Sequence, residues 1–209
     1  MSMKTPEWIF FDMGGTLFDE TAAWDSLITR TAVENAIPEE RLRKEMERAA
    51  SQNLPEYSAA AKKLRLSRCE PWDSAGERLN EGADELLNFL CGKCRLGIID
   101  NQPYDARERL GKQGILKYFD LIIISGELSF KKPERLMFIE ALFKAKAEPK
   151  NCIMVGNELV NDIAPAKALG MGTIWVKREF GGMNTVTDES MRPDYTVENL
   201  LQAAELFAD

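Results

Sequence analysis

The chain has 209 residues, 44% of them hydrophobic and 29% charged, with a formal net charge of −7. That length fits one globular domain with a modest insertion, and an acidic balance without a basic run argues against nucleic acid or an anionic membrane surface as a partner. There is no histidine, which excludes a Ser–His–Asp triad, a Cys–His pair, a histidine-ligated zinc and a histidine general base within one chain. Residues 1–7 are polar and no apolar stretch approaches the length of a membrane span, so a cytoplasmic protein is expected. Cys91 and Cys94 form a C-x-x-C, but the pair closes an apolar helical pattern instead of opening a helix after a strand. It reads as a helix-to-strand turn.

The first short apolar run is 8–11, and similar runs stand at 96–99, 121–124, 152–155 and 173–176. Continuous apolar runs of this kind are the pattern of parallel strands covered on both faces. After the first run come helical patterns at 21–35, 39–52, 57–66 and 72–79, broken at Pro38, Pro55 and Pro71. Trp24, Leu27, Ile28 and Thr31 share one face of the first of these. A helix over 81–90 leads back to the second strand. Helices over 104–113, 133–147 and 161–169 follow the next three strands, and 197–207 follows the last strand after a polar loop. Pro133 suits a first helical turn, and Gly114 and Gly170 suit helix ends. The alternation predicts an α/β fold: a Rossmann-like doubly wound parallel sheet with a small helical cap inserted after the first strand. The expected division is a core of 1–16 and 81–209 and a cap of 17–80.

In an open parallel sheet, ligands bind at the carboxyl ends of the strands. Here the first strand ends in Asp12, the second in Asp100 and the fourth in Gly156-Asn157, with Asp162 nearby; Ser125 and then Lys132 follow the third. Several carboxylates and one lysine at one edge suggest a hard divalent cation, Mg²⁺, beside an anionic small molecule.

Four ordered motifs carry a resemblance. They are Phe10-Phe11-Asp12-Met13-Gly14-Gly15-Thr16-Leu17, then Leu96-Gly97-Ile98-Ile99-Asp100-Asn101, then Lys131-Lys132-Pro133, then Val155-Gly156-Asn157 with Asp162. In this order and spacing the chain resembles the haloacid dehalogenase-like hydrolase superfamily, in its subfamily with a helical cap after the first motif. The resemblance implies a Mg²⁺-dependent phosphatase acting on a small phosphorylated metabolite. Asp12 would be the nucleophile that forms an aspartyl-phosphate, and Lys132 (Lys131 being the alternative) would orient it and neutralise phosphoryl oxygens. Asp12, the Gly14 carbonyl, Asn157 and Asp162 would hold the metal, and Gly15 and Asn101 would contact substrate.

Three positions depart from the family pattern. Gly14 stands where a second Asp would serve as general acid and base, help ordinarily worth about 10²–10⁴ in rate. Asp100 replaces a phosphate-binding hydroxyl, and Asn157 replaces an Asp. Asp100 is either a relocated acid–base group, an occupant of the phosphate position, or a partner of Lys132 that holds loops together. An Asp100→Ser change lowers activity under the first reading and raises it under the second. The rival functions are a binding or scaffold protein on the same fold and a non-phosphate hydrolase such as a dehalogenase.

Overall fold

The computed structural model describes residues 6–208; the parts of the expected core at 1–5 and 209 lie outside them. The strands are Trp8–Phe11 (β1), Phe18–Asp19 (β2), Arg78–Leu79 (β3), Arg95–Asp100 (β4), Leu121–Ile124 (β5), Cys152–Gly156 (β6), Gly172–Val176 (β7) and Tyr195–Val197 (β8). The α-helices are Thr21–Glu34 (α1), Glu39–Ser51 (α2), Glu56–Leu64 (α3), Ala83–Leu90 (α4), Ala106–Lys112 (α5), Arg135–Ala145 (α6), Ala164–Ala168 (α7) and Leu200–Glu205 (α8).

All four side chains of β1 are buried, which requires cover on both faces. Accordingly β1 sits inside a six-stranded sheet of order β5-β4-β1-β6-β7-β8, and every pairing in it is parallel. Strand periodicity divides the core in two. Ile9 and Phe11 face one side with Leu86, Leu87, Leu90 and Leu110. Phe10 faces the other with Met137, Phe138 and Met154. Phe11 pairs with Ile98 and Val155, so Asp12, Asp100 and Gly156 emerge at the same carboxyl edge.

A third apolar cluster joins α1, α2 and α3 through Ile28, Leu42, Met46, Ala50 and Ala60, with Phe180 added from the loop after β7. This helical unit leaves and rejoins the sheet through the two-residue antiparallel ribbon of β2 and β3. Among the described residues no helix is long and apolar enough to cross a membrane.

Several expectations need correction. The pattern at 72–79 is not a helix: Pro71, Asp73 and Gly76 allow only a single tight turn at Ser74–Gly76 before β3. Pro133 lies before α6, whose N-cap is Glu134. The segment 161–169 starts as a wide π-type turn, Leu159–Ile163, and only then becomes α7. Val197 belongs to an edge strand, β8, not to the last helix. Cys91 and Cys94 are free thiols at the turn after α4, and burial pushes Cys94 up to about 11, which leaves a poor thiolate for redox exchange.

Candidate active site

The carboxyl edge of the sheet gathers four charged side chains around one atom. Lys132 Nζ lies 2.5 Å from Asp12 Oδ1, 2.9 Å from Asp100 Oδ1 and 2.7 Å from Asp162 Oδ1. Each element contributes one group. Asp12 extends β1, its N–H donating to the Val155 carbonyl. Asp100 ends β4, and Asp162 sits in the wide turn after β6, where its Oδ2 accepts from the Glu158 N–H at 2.9 Å. Lys132 comes from the loop after β5. Asn101 fixes that loop from both sides: its Oδ1 accepts from the Lys132 N–H at 2.7 Å and its Nδ2 donates to the Lys132 carbonyl at 3.0 Å. All four charged side chains are almost completely buried. Lys131, the alternative lysine, donates its N–H to Glu134 and is exposed.

Three carboxylates about one ammonium leave an excess of negative charge out of water, which is costly unless a proton or a cation neutralises it. Burial, with the charge of Asp100 behind it, raises Asp12 well above the usual carboxylate range despite Lys132. Burial would raise Asp100 as well, but Lys132 and hydrogen bonds from Asp12, Lys132 and Gln102 overcome it and hold Asp100 well below that range. Burial likewise opposes the charge on Lys132, yet the three carboxylates hold it firmly protonated. Burial and the mutual repulsion of the carboxylates thus oppose full ionisation of the cluster, while Lys132 stays cationic.

Asp100 is held by more than Lys132. Its Oδ2 accepts from the Met13 N–H at 3.3 Å, the Gly14 N–H at 3.4 Å and Gln102 Nε2 at 2.9 Å, and its Oδ1 accepts from the Asn101 N–H at 2.6 Å. These donors form an anion cradle, and the chain's own carboxylate lies in it.

Whether Mg²⁺ suits the site can be tested on the oxygen donors. Asp12 Oδ2 is buried and has no hydrogen-bond donor among the described residues; a proton or a hard cation would satisfy it. Asn157 is buried, and its amide packs against Gly15, which adopts a left-handed conformation with φ of 67°. No three His, Cys, Asp or Glu side chains form an open cation cluster among the described residues, because Lys132 already fills the space between the carboxylates. The donor set fits Mg²⁺, which commonly takes one or two carboxylates and completes its shell with water and substrate phosphate.

Glu20, at the start of α1, was not singled out by sequence. A Cβ placed on Gly14 would lie 2.5 Å from Glu20 Oε1 and 2.8 Å from its Cδ. The carboxyl of Glu20 thus fills the space that a side chain at position 14 would enter. It is 9% exposed, and among the described residues its carboxyl oxygens have no ion-pair or hydrogen-bond partner. Burial, then the neighbouring charges of Glu179, Glu77 and Asp100, raise it well above the usual range, with Arg109 opposing. Glu20 faces a cleft of about 410 Å³ that Trp24, Trp72, Asn101, Gln102 and Arg109 also line.

Comparison with known proteins identifies the family. A family model described as haloacid dehalogenase-like hydrolase matches residues 6–170. The chain belongs to the haloacid dehalogenase-like hydrolases. It is 33% identical over 193 residues to the glyceraldehyde 3-phosphate phosphatase of Pyrococcus abyssi, a match spanning 81% of this chain and 80% of that protein. It is 32% identical over 127 residues to the pyrimidine 5'-nucleotidase YjjG of Escherichia coli, a match that spans 60% of this chain but only 55% of that protein. The HAD phosphatase of Thermococcus onnurineus superposes with a TM-score of 0.68 at 20% identity, covering 97% of this chain and 98% of that one. The 2-haloacid dehalogenase of Pseudomonas syringae superposes with a TM-score of 0.63 at 21% identity, covering 96% and 97%. Shape alone therefore does not choose between the two chemistries.

Within this haloacid dehalogenase-like hydrolase, Asp12, Asp100, Lys132 and Asp162 meet directly, and Asn101 braces the lysine loop. Asn157 and Gly15 touch each other one layer away, beside the Gly14 turn. Sequence gave one signal for Glu20: a glutamate six residues beyond Gly14, just before a helix, in a chain lacking the carboxylate expected at position 14.

Proposed function

We propose that the protein is a phosphate monoester hydrolase that uses Asp12 as nucleophile, Lys132 as electrostatic partner and Glu20 as general acid and base. The observation that carries this reading is the contact of Lys132 Nζ with Asp12 Oδ1 at the strand edge, with Asp12 Oδ2 left free. The core of 1–16 and 81–209 would hold the phosphoryl group, and the helical cap of 17–80 would cover the alcohol.

The steps follow from the residues. Asp12 attacks as a carboxylate, the form that the neighbouring Lys132 ammonium favours. Its oxygen bonds to phosphorus as the bond from phosphorus to the alcohol oxygen breaks, and Glu20 passes its proton to the departing oxygen. Water then attacks the aspartyl-phosphate, Glu20 removes the water's proton, and the bond to Asp12 breaks to release inorganic phosphate. Lys132 balances the phosphoryl charge throughout. Mg²⁺, held by Asp12, the Gly14 carbonyl, Asn157 and Asp162, would add positive charge that favours the carboxylate form of Asp12 and screens the phosphoryl oxygens.

Asp100 slows this chemistry. Despite burial, Asp100 is favoured in its ionised form by Lys132 and its hydrogen-bond donors, which speaks against the relocated-acid reading. It occupies the Met13, Gly14 and Asn101 amides that a phosphoryl oxygen would use, so substrate must displace it. The same feature favours a second reading, a protein that binds an anion weakly and does not turn it over.

The deciding experiment measures hydrolysis of an aryl phosphate with and without Mg²⁺, with Asp12→Asn as control and halide release from a haloacid in parallel. Mg²⁺-dependent turnover abolished in the variant supports the phosphatase. Its absence across a phosphate panel sinks it, and halide release would select dehalogenation.

A further inference from the structure

The cleft adjoins the site through three of its lining residues: Glu20 beside Gly14, and Asn101 and Gln102, which donate to Asp100. Anything esterified to the phosphate would extend outward through it. Its walls have an unusual balance of charge. Arg109 is the cation among its lining residues, and its charge is spent: Nε and Nη2 grip the Glu77 carboxylate at 3.0 and 2.9 Å, and Nη1 donates to Gln102 Oε1 at 2.7 Å. Arg109 is 7% exposed, so little of its field reaches the cleft. Two carboxyl side chains also line it: the unpartnered Glu20 and the half-exposed Asp105, whose Oδ1 lies 3.6 Å from Arg109 Nη1.

The cleft also contains an aromatic corner. Trp24 and Trp72 lie edge to face, with centroids 4.7 Å apart and planes at 66°. Phe180 holds Trp24 from behind, at 5.2 Å and 77°. A second anionic group on the substrate, a carboxylate or another phosphate, would meet no free cation here. An alkylammonium would find the exposed Trp72 indole at the aromatic corner and a carboxylate, the kind of combination that binds quaternary and primary ammonium ions.

The geometry points to an amino-alcohol phosphate as substrate: a monoester whose alcohol ends in an ammonium seated against Trp24, Trp72 and Asp105, with the ester oxygen at Glu20. The phosphate half rests on the phosphatase reading above. The ammonium half does not, because it needs neither Asp12 nor metal.

The test is direct binding, read by tryptophan fluorescence and by calorimetry, with choline as probe. Its neutral isostere, 3,3-dimethylbutan-1-ol, and glycolate serve as controls. Choline is expected to bind about tenfold or more tightly than the isostere, with glycolate weaker still, since a desolvated cation–π contact contributes about 1–2 kcal/mol. Trp72→Leu and Asp105→Asn, both at exposed positions, should each weaken choline severalfold. Equal binding of choline and the isostere, or choline binding indifferent to both substitutions, overturns the proposal. Hydrolysis of phosphocholine and phosphoglycolate separates the two readings: turnover that prefers phosphoglycolate refutes the ammonium site alone. Choline binding without turnover of any ester supports the ammonium site and refutes the phosphatase.

Discussion

Glu20 and Gly14 are spatially complementary: the glutamate carboxyl lies 2.5 Å from the point where a Cβ on Gly14 would be. Glu20 thus sets a carboxyl group in the space that a side chain at position 14 would enter. If Glu20 protonates the leaving oxygen, Glu20→Gln should cut hydrolysis of an alkyl phosphate by about 10²–10⁴ while affecting an activated aryl phosphate much less. A purely structural role would lower both substrates equally. Gly14→Asp alone should fold but push the flexible end of Glu20 out of its place. Gly14→Asp combined with Glu20→Ala should recover alkyl phosphate turnover, and failure of that rescue would count against the assignment.

Asp100 makes the opposite prediction. Its removal frees the Met13, Gly14 and Asn101 amides and restores the cradle to an incoming phosphate. Charge-assisted hydrogen bonds are worth about 1.5–3 kcal/mol each when desolvated. Asp100→Ser should therefore raise kcat/KM on an aryl phosphate by roughly tenfold or more and tighten binding of vanadate in proportion. A fall in both quantities would return Asp100 to the role of acid–base group.

Which parts of this were legible in the sequence has a physical basis. The strands at 8–11, 121–124 and 152–155 were readable because each is buried on both faces and so is continuously apolar. β8 was not, because an edge strand of three residues with an exposed Thr196 resembles a loop. The carboxylates at strand ends could be placed at one edge from topology alone, since parallel strands share a direction. That three of them converge on Lys132 depends on the wide turn at Leu159–Ile163, which turns Asp162 inward, and on Asn101 holding the lysine loop. Neither contact has a local sequence signal. Glu20 was hidden for a related reason: it reaches Gly14 only because β2 pairs with β3 and turns the start of α1 back over the site.

Lys132 carries the electrostatic weight of the site. Replacing it with Met keeps the stem's volume but removes the counter-charge of Asp100 and Asp162. Breaking a buried pair in this way costs about 3–5 kcal/mol, since the remaining charge stays buried without compensation. Urea unfolding of Lys132→Met should show a loss of that order near neutral pH and a smaller loss in acid, where the stranded carboxylates take up protons. Adding Asp100→Asn should return part of the stability, and strict additivity of the two changes would mean that the residues are not coupled.

Glu179 should give the fold a pH dependence that urea unfolding can read without any assay of activity. Its Oε1 accepts from the Glu20 N–H at 2.7 Å. Burial pushes its carboxyl from an ordinary 4.5 up to about 7, aided by Asp19 and opposed by the Glu20 amide, Arg178 and Trp24. A carboxyl that holds its proton more tightly when folded stabilises the protein below its unfolded pKa. That contribution is lost as pH rises through the folded value. Stability should thus fall between about pH 4.5 and 7 and level off above, by roughly 1–3 kcal/mol after allowance for partial exposure. Glu20 slopes in the same direction, so the wild-type curve alone does not isolate Glu179. Glu179→Gln does: it keeps an oxygen for the Glu20 amide but cannot ionise, so its stability should fall less steeply over the same range. Urea midpoints for both proteins at about pH 5, 6, 7 and 8 give the two slopes, and parallel curves would show that the Glu179 carboxyl ionises in the folded protein as readily as in the unfolded chain.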